Sequence, residues 1–148
     1  MTIQVIGAGS WGLALARLLS RKGYSVRLWC REEDGPDTLR ETRQSPYFLP
    51  GVSLPESVEV SREIHPDPNL AVLAVPSHAM RVVAGAFPFP PRTIRVNVAK
   101  GIENDTLLSM HEVIRDVSAP GMVVTLSGPS HAEEVARDLP ASVVAAGE

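Results

Sequence analysis

The stretch VIGAGSWG, Val5–Gly12, sets Gly7, Gly9 and Gly12 in the spacing G-x-G-x-x-G. Its neighbours give the spacing meaning. An apolar run, Ile3–Ile6, precedes it and reads as a short buried strand. Residues 10–21 follow, with Leu15, Leu18 and Leu19 at helical spacing. A strand–turn–helix setting separates a dinucleotide-binding turn from an ordinary glycine-rich loop. In such a turn Gly7 allows the tight bend, and Gly9, lacking a Cβ, lets the backbone approach a pyrophosphate. Gly12 lets helix and strand pack closely. The helix start then offers free N–H groups and the positive end of its dipole to the phosphates.

Working outward, apolar runs alternate with helix-like segments. Gly23 ends the first helix, and Val26–Trp29 is the next strand. Residues 32–57 are polar and turn-rich, and Val58–Val60 is a short strand. Leu70–Val75 (LAVLAV) carries no polar side chain and suits a strand buried on both faces. Pro76 stops it; residues 77–86 read as a helix and FPFPP as an extended loop. Further strands are expected at 94–98, 123–126 and 142–146, and further helices at 105–116 and 131–138, with Asp105 as the N-cap of the former. This alternation predicts an α/β fold of the Rossmann type: a doubly wound, mostly parallel sheet with helices on both faces. The 148 residues suit one dinucleotide-binding domain. The ending ASVVAAGE reads as a strand with no closing helix, which suggests a piece of something longer.

Three strand ends carry candidate chemistry. After the second strand come Cys30, Arg31 and Glu32. An acid at this tip would hold a ribose 2′-hydroxyl, whereas an arginine can meet a 2′-phosphate. Arg31 tilts the reading toward NADPH, Glu32 keeps NADH open, and a solvated loop charge is the plainer alternative. After the strand at 94–98, AKGIE sets Lys100 at the ligand-binding edge of the sheet. It is one of two lysines beside twelve arginines. Its compact, rotatable ammonium could reach a cofactor ribose, a substrate carbonyl or a phosphate, or could simply lie on the surface. In LSGPSHAEE, Leu126–Glu134, Ser130 and Glu133 fit a capping box. The same turn, from Gly128 to Ala132, could instead present N–H groups to an anion. His78, in VPSH, could act as a base but suits an ordinary loop residue near a cofactor. His65, His111 and His131 show no metal-ligand spacing with each other or with Cys30, so no metal is expected.

Composition narrows the class. The net charge of −3 carries no basic excess, which gives no support to nucleic-acid binding. No apolar stretch approaches the ~20 residues that span a bilayer, so no membrane insertion is expected. The N-terminus shows no leader pattern, and the single cysteine excludes an intrachain disulfide. The chain reads as cytoplasmic.

GAGSWGLALA, YFLPGVSLP, VLAVPSHAMR, AKGIE and LSGPSHAEEVA, in this order, resemble the N-terminal domain of bacterial NAD(P)H-dependent glycerol-3-phosphate dehydrogenases. The resemblance covers essentially the whole chain. It implies reversible reduction of dihydroxyacetone phosphate to sn-glycerol 3-phosphate for glycerophospholipid synthesis, with NADPH or NADH. It implies cofactor contacts at Ser10, Trp11, Arg31, Lys100 and Ala132, and substrate contacts at Lys100, Gly128 and Ser130. The family's helical C-terminal domain, with its proton-transferring lysine, has no counterpart here. The fragment alone is therefore expected to be inactive, and an apolar docking face leaves room for a homodimer. A stand-alone NADP(H) sensor, or the first domain of a ketopantoate or 6-phosphogluconate type dehydrogenase, is the competing reading.

Overall fold

The computed structural model describes residues 1–147. Seven strands form one sheet: β1 (Thr2–Ile6), β2 (Ser25–Trp29), β3 (Val58–Ser61), β4 (Leu70–Leu73), β5 (Ile94–Asn97), β6 (Val123–Ser127) and β7 (Val144–Gly147). Their spatial order is β3-β2-β1-β4-β5-β6-β7. The first six strands run parallel, and β7 pairs antiparallel with β6. The expected doubly wound sheet is thus present.

The helices are α1 (Ser10–Arg21), α2 (Pro36–Thr42), α3 (Met80–Ala86), α4 (Met110–Val117) and α5 (Ala132–Ala136). Strand alternation sends side chains to two separate cores. Ile3, Val5, Leu28 and Val72 pack with Leu13, Ala16, Leu39 and Val135, beneath α1, α2 and α5. Ile6, Ala71 and Leu73 pack with Met80, Met110 and Ile114, beneath α3 and α4. Both faces are covered, which is why the parallel strands need no alternation of polar and apolar residues.

Three local expectations are corrected. The segment 32–57 is not wholly loop: Gly35 and Pro36 start α2, and Leu39 anchors it in the core. Asp105 caps nothing. Helix α4 starts five residues later, where Ser109 and Glu112 form a reciprocal capping box. The Ser109 hydroxyl accepts the Glu112 N–H, and the Glu112 carboxylate accepts the Ser109 N–H at 2.8 Å. A bridge between Ile102 and Ser109 and a left-handed Leu107 use up the intervening residues. The third correction concerns Ser130. The N-cap of α5 is His131, with no side-chain hydrogen bond, so the Ser130–Glu133 box does not form. Ser130 instead turns back, its N–H donating to the Gly128 carbonyl at 2.9 Å.

The winding explains where a ligand can sit. From β1 the chain moves outward to β2 and β3, then returns to the other side of β1 as β4. The crevice between the carboxyl ends of β1 and β4 is the topological switch point of the sheet. The glycine turn, Gly7–Gly9, and the loop Ala74–Pro76 flank it.

Candidate functional site

The glycine turn is built by close contact. Gly7 has φ +109°, a region that side-chain-bearing residues rarely enter. A Cβ there would fall 2.4 Å from the Ala74 carbonyl oxygen. Gly7 N–H donates to Trp29 O at 3.1 Å, and Ala74 N–H to Ile6 O at 2.9 Å, tying the turn to both neighbouring strands. Gly12 faces inward: a Cβ there would meet Gly7 O at 1.9 Å. Gly9 differs from both, because a Cβ at Gly9 would have no neighbour within 4 Å. Its face is open space at the start of α1. First-turn N–H groups have no partner within a helix, and among the described residues no side chain caps this one. An uncapped twelve-residue helix beside a bare backbone is an arrangement that can receive an anionic group such as a pyrophosphate.

Two clefts open on either side of this turn. The first, of about 140 Å³, is lined by Gly7, Ala8, Gly9, Trp29, Arg31 and Asp34. Phe48, Pro76 and His78 also line it. Arg31 is 61% exposed, yet its head is fixed. Its Nη2 and Nε donate to Asp34 at 2.8 and 3.3 Å, and its backbone N–H donates to the same carboxylate at 3.0 Å. This buried carboxylate raises the Arg31 pKa above its ordinary value through hydrogen bonding and charge. Behind the cleft, burial first and then Asp34 push the Cys30 thiol up to about 12. Arg62 sits near this wall, donating to both Glu32 and Asp37.

The second cleft, of about 280 Å³, is lined by Ser10 and Trp11 from α1, Val98 and Lys100 after β5, and Ser130, His131 and Ala132 at α5. Lys100 Nζ donates to the Gly128 carbonyl at 3.2 Å, bridging the loops that follow β5 and β6. Gly128 itself stands behind the cleft wall. A Cβ on it would lie 2.6 Å from the Ser142 carbonyl oxygen, so it lets the approach to β7 pass closely.

The predicted residues therefore fall into three groups. Gly7, Gly9 and Arg31 lie on the first cleft, and Ser10, Trp11, Lys100, Ser130 and Ala132 line the second. Gly12 and Gly128 shape the backbone from behind. Lining residues that carried no site role at the sequence level include Asp34 and Phe48. Asp34 had a local signal, since Arg31 and Asp34 stand three apart around a turn. Phe48 had no local signal beyond its place in YFLPGVSLP, because it reaches the cleft from a separate loop.

With this geometry in view, comparisons with known proteins agree. A family described as "NAD-dependent glycerol-3-phosphate dehydrogenase N-terminus" matches residues 2–148. The chain is 46% identical to a glycerol-3-phosphate dehydrogenase [NAD(P)+] of Syntrophobacter fumaroxidans, covering 99% of this chain and 45% of that protein. A protein of the same name from Pelotomaculum thermopropionicum is 44% identical, over 97% of this chain and 44% of the relative. Among solved structures, the glycerol-3-phosphate dehydrogenase of Coxiella burnetii superposes with a TM-score of 0.84 at 33% identity, over 99% of this chain and 46% of that one. A ketopantoate reductase of Ralstonia eutropha shares the fold, at TM-score 0.65 and 17% identity. The chain spans about half the length of the curated relatives it matches.

Proposed function

The chain belongs to the NAD-dependent glycerol-3-phosphate dehydrogenase family as an N-terminal domain, and from that premise we propose that it binds NADPH, with NADH as the alternative, across the crevice between β1 and β4. The observation that carries this reading is the contrast within the glycine turn. Gly7 and Gly12 are demanded by protein packing, whereas Gly9 is bare on the side where phosphates would come.

In this reading the adenosine end lies in the first cleft and the Arg31 guanidinium meets the 2′-phosphate of NADPH. Asp34 holds one edge of that guanidinium, leaving Nη1 and one Nη2 hydrogen to the ligand. Ser10, Trp11 and Ala132 line the path toward the second cleft, where Lys100 and Ser130 meet both the far end of the coenzyme and the substrate. When bound, the coenzyme supplies hydride for reducing the C2 carbonyl of dihydroxyacetone phosphate to sn-glycerol 3-phosphate. The part of Lys100 is electrostatic: its ammonium stabilises negative charge developing on the C2 oxygen and orients the substrate. Proton transfer is assigned to a lysine of a helical C-terminal domain that these 148 residues do not carry. The chain alone then binds coenzyme without turnover. The complete enzyme would act in the cytoplasm and supply glycerophospholipid synthesis. Among the described residues, no helix is long and apolar enough to cross a membrane.

The direct test has two parts. NADPH is titrated into the 148-residue chain by fluorescence. The chain joined to the C-terminal half of the Syntrophobacter relative is then assayed for dihydroxyacetone phosphate reduction. Saturable binding by the first and turnover only by the second is the expected result. Absence of NADPH binding in a folded chain overturns the reading.

A further inference from the structure

The loop that carries Lys100 is tied down at both ends, and one of the ties comes from another helix. At its start, Ala99 N–H donates to the Asn97 side-chain oxygen at 3.0 Å. At its end stands Glu103, whose side chain is only 17% exposed. Arg81, from α3, grips Glu103 in a parallel fork: Nε to Oε1 at 2.7 Å and Nη2 to Oε2 at 2.8 Å. The third nitrogen of the same guanidinium, Nη1, donates to Asp116 on α4 at 2.6 Å. The Glu103 backbone is held as well. Its N–H donates to Leu108 O and its carbonyl accepts from Leu107 N–H, each at 2.9 Å. Among the described residues, Lys100 itself has one hydrogen bond, at 3.2 Å, to the Gly128 carbonyl. The placement of its backbone therefore comes from the ends of the loop rather than from the side chain.

We propose that Arg81 and Glu103 are positioning residues for Lys100: their fork fixes the AKGIE loop against α3 and α4 and so sets where the Lys100 ammonium stands in the second cleft. The inference rests on reading Lys100 as a ligand-contacting cation. Arginine suits this task because its planar fork constrains both carboxylate oxygens at once, which an ammonium cannot do. The tie also holds across ordinary pH: the Arg81 guanidinium, and then Thr106, hold the Glu103 carboxyl down at about 2. A contact that only stabilised the fold would have no reason to couple to one lysine. A contact that pre-organises a cation must do so.

Arg81→Ala, Arg81→Lys, Glu103→Gln and Lys100→Ala are compared in the 148-residue chain by NADPH titration, each checked for folding by circular dichroism. Trace acetylation, read by mass spectrometry, reports on Lys100 directly; Lys22 is the other lysine of the chain and serves as internal reference. Arg81→Ala and Glu103→Gln are expected to weaken NADPH binding by about three- to tenfold. Both should change the Lys100-to-Lys22 labelling ratio, with Arg81→Lys rescuing only in part. In a Lys100→Ala background the Arg81→Ala substitution should have no further effect on affinity, since it acts through Lys100. Equal losses in both backgrounds overturn the proposal, as does an unchanged labelling ratio in folded Arg81→Ala and Glu103→Gln. If Lys100→Ala binds NADPH as tightly as the unaltered chain, the assignment of Lys100 to the coenzyme fails, and the labelling ratio alone then decides the clamp. Should Arg81→Ala not fold, Glu103→Gln and Arg81→Lys carry the same comparison.

Discussion

Replacing Gly9 and Gly12 separately by alanine divides ligand binding from folding within one turn. At Gly12 the new Cβ would lie 1.9 Å from Gly7 O, while ordinary contacts of this kind begin near 3.4 Å. Gly7 cannot yield, because its N–H is bonded to Trp29 and its own Cβ position is filled by Ala74. Helix α1 must therefore withdraw by about 1.5 Å at its first turn, in a core packed to crystal-like density. Leu13, Ala14 and Ala16, all buried against the sheet, lose their fit. Overpacking of this kind costs about 3 kcal/mol or more when the clash is with backbone. At Gly9 the position is open and φ is −71°, which alanine adopts without strain. A weaker N-cap and a stiffer unfolded chain nearly cancel there, leaving a change below about 1 kcal/mol. Yet in the proposed binding mode the added methyl stands where the pyrophosphate would approach, and NADPH affinity should fall tenfold or more. Urea denaturation followed by circular dichroism measures the first effect, and fluorescence titration of NADPH the second. A Gly9→Ala chain that binds NADPH normally refutes the placement of the phosphates. A Gly12→Ala chain as stable as the parent refutes the close approach.

Three other substitutions or treatments have defined outcomes. Arg31→Ala should weaken NADPH about tenfold and NADH little, since only the former carries the 2′-phosphate; equal losses in the two titrations remove that role from Arg31. The Cys30 thiol is buried and pushed up to about 12, so in mildly alkaline buffer it stays protonated and covered. Dithionitrobenzoate should react slowly with the folded chain and rapidly in guanidinium chloride, and fast reaction of the native chain would contradict this burial. Arg95 is 1% exposed, and its Nε and Nη1 have no hydrogen-bond partner among the described residues. Arg95→Met keeps the apolar stem and removes those donors at the loss of the Nη2 bond to Phe89 O, and should raise stability by about 1 kcal/mol in urea denaturation. A loss of stability would show that the guanidinium is satisfied.

Regular, short-range patterns made much of this chain legible before any coordinates. The glycine spacing, the leucines of α1 and the run LAVL define the turn, the first helix and a doubly buried strand within a few residues each. Lys100 could be placed at the sheet edge for the same reason, since the apolar strand and its end are adjacent in sequence. The helix start at Ser109 was equally local, being written as S-x-x-E, but the earlier Asp105 offered a rival cap. The bridge from Ile102 to Ser109 and the left-handed Leu107 rule that rival out.

By its own pattern, then, the sequence determined the class of fold, the glycine turn and the strand ends where the candidate site residues gather. The tertiary structure decided which of those residues share a cleft. Arg81 and Glu103 lie 22 positions apart and Lys100 and Gly128 lie 28 apart, and nothing periodic connects them. Phe48 shares a cleft with Arg31, and Gly121 leaves room for the Arg95 guanidinium, only because the sheet brings separate segments together. Periodicity is a property of one element and can be read along the chain. The meeting of side chains from different elements depends on strand order and on which loops that order brings together, and it exists only once the sheet has formed.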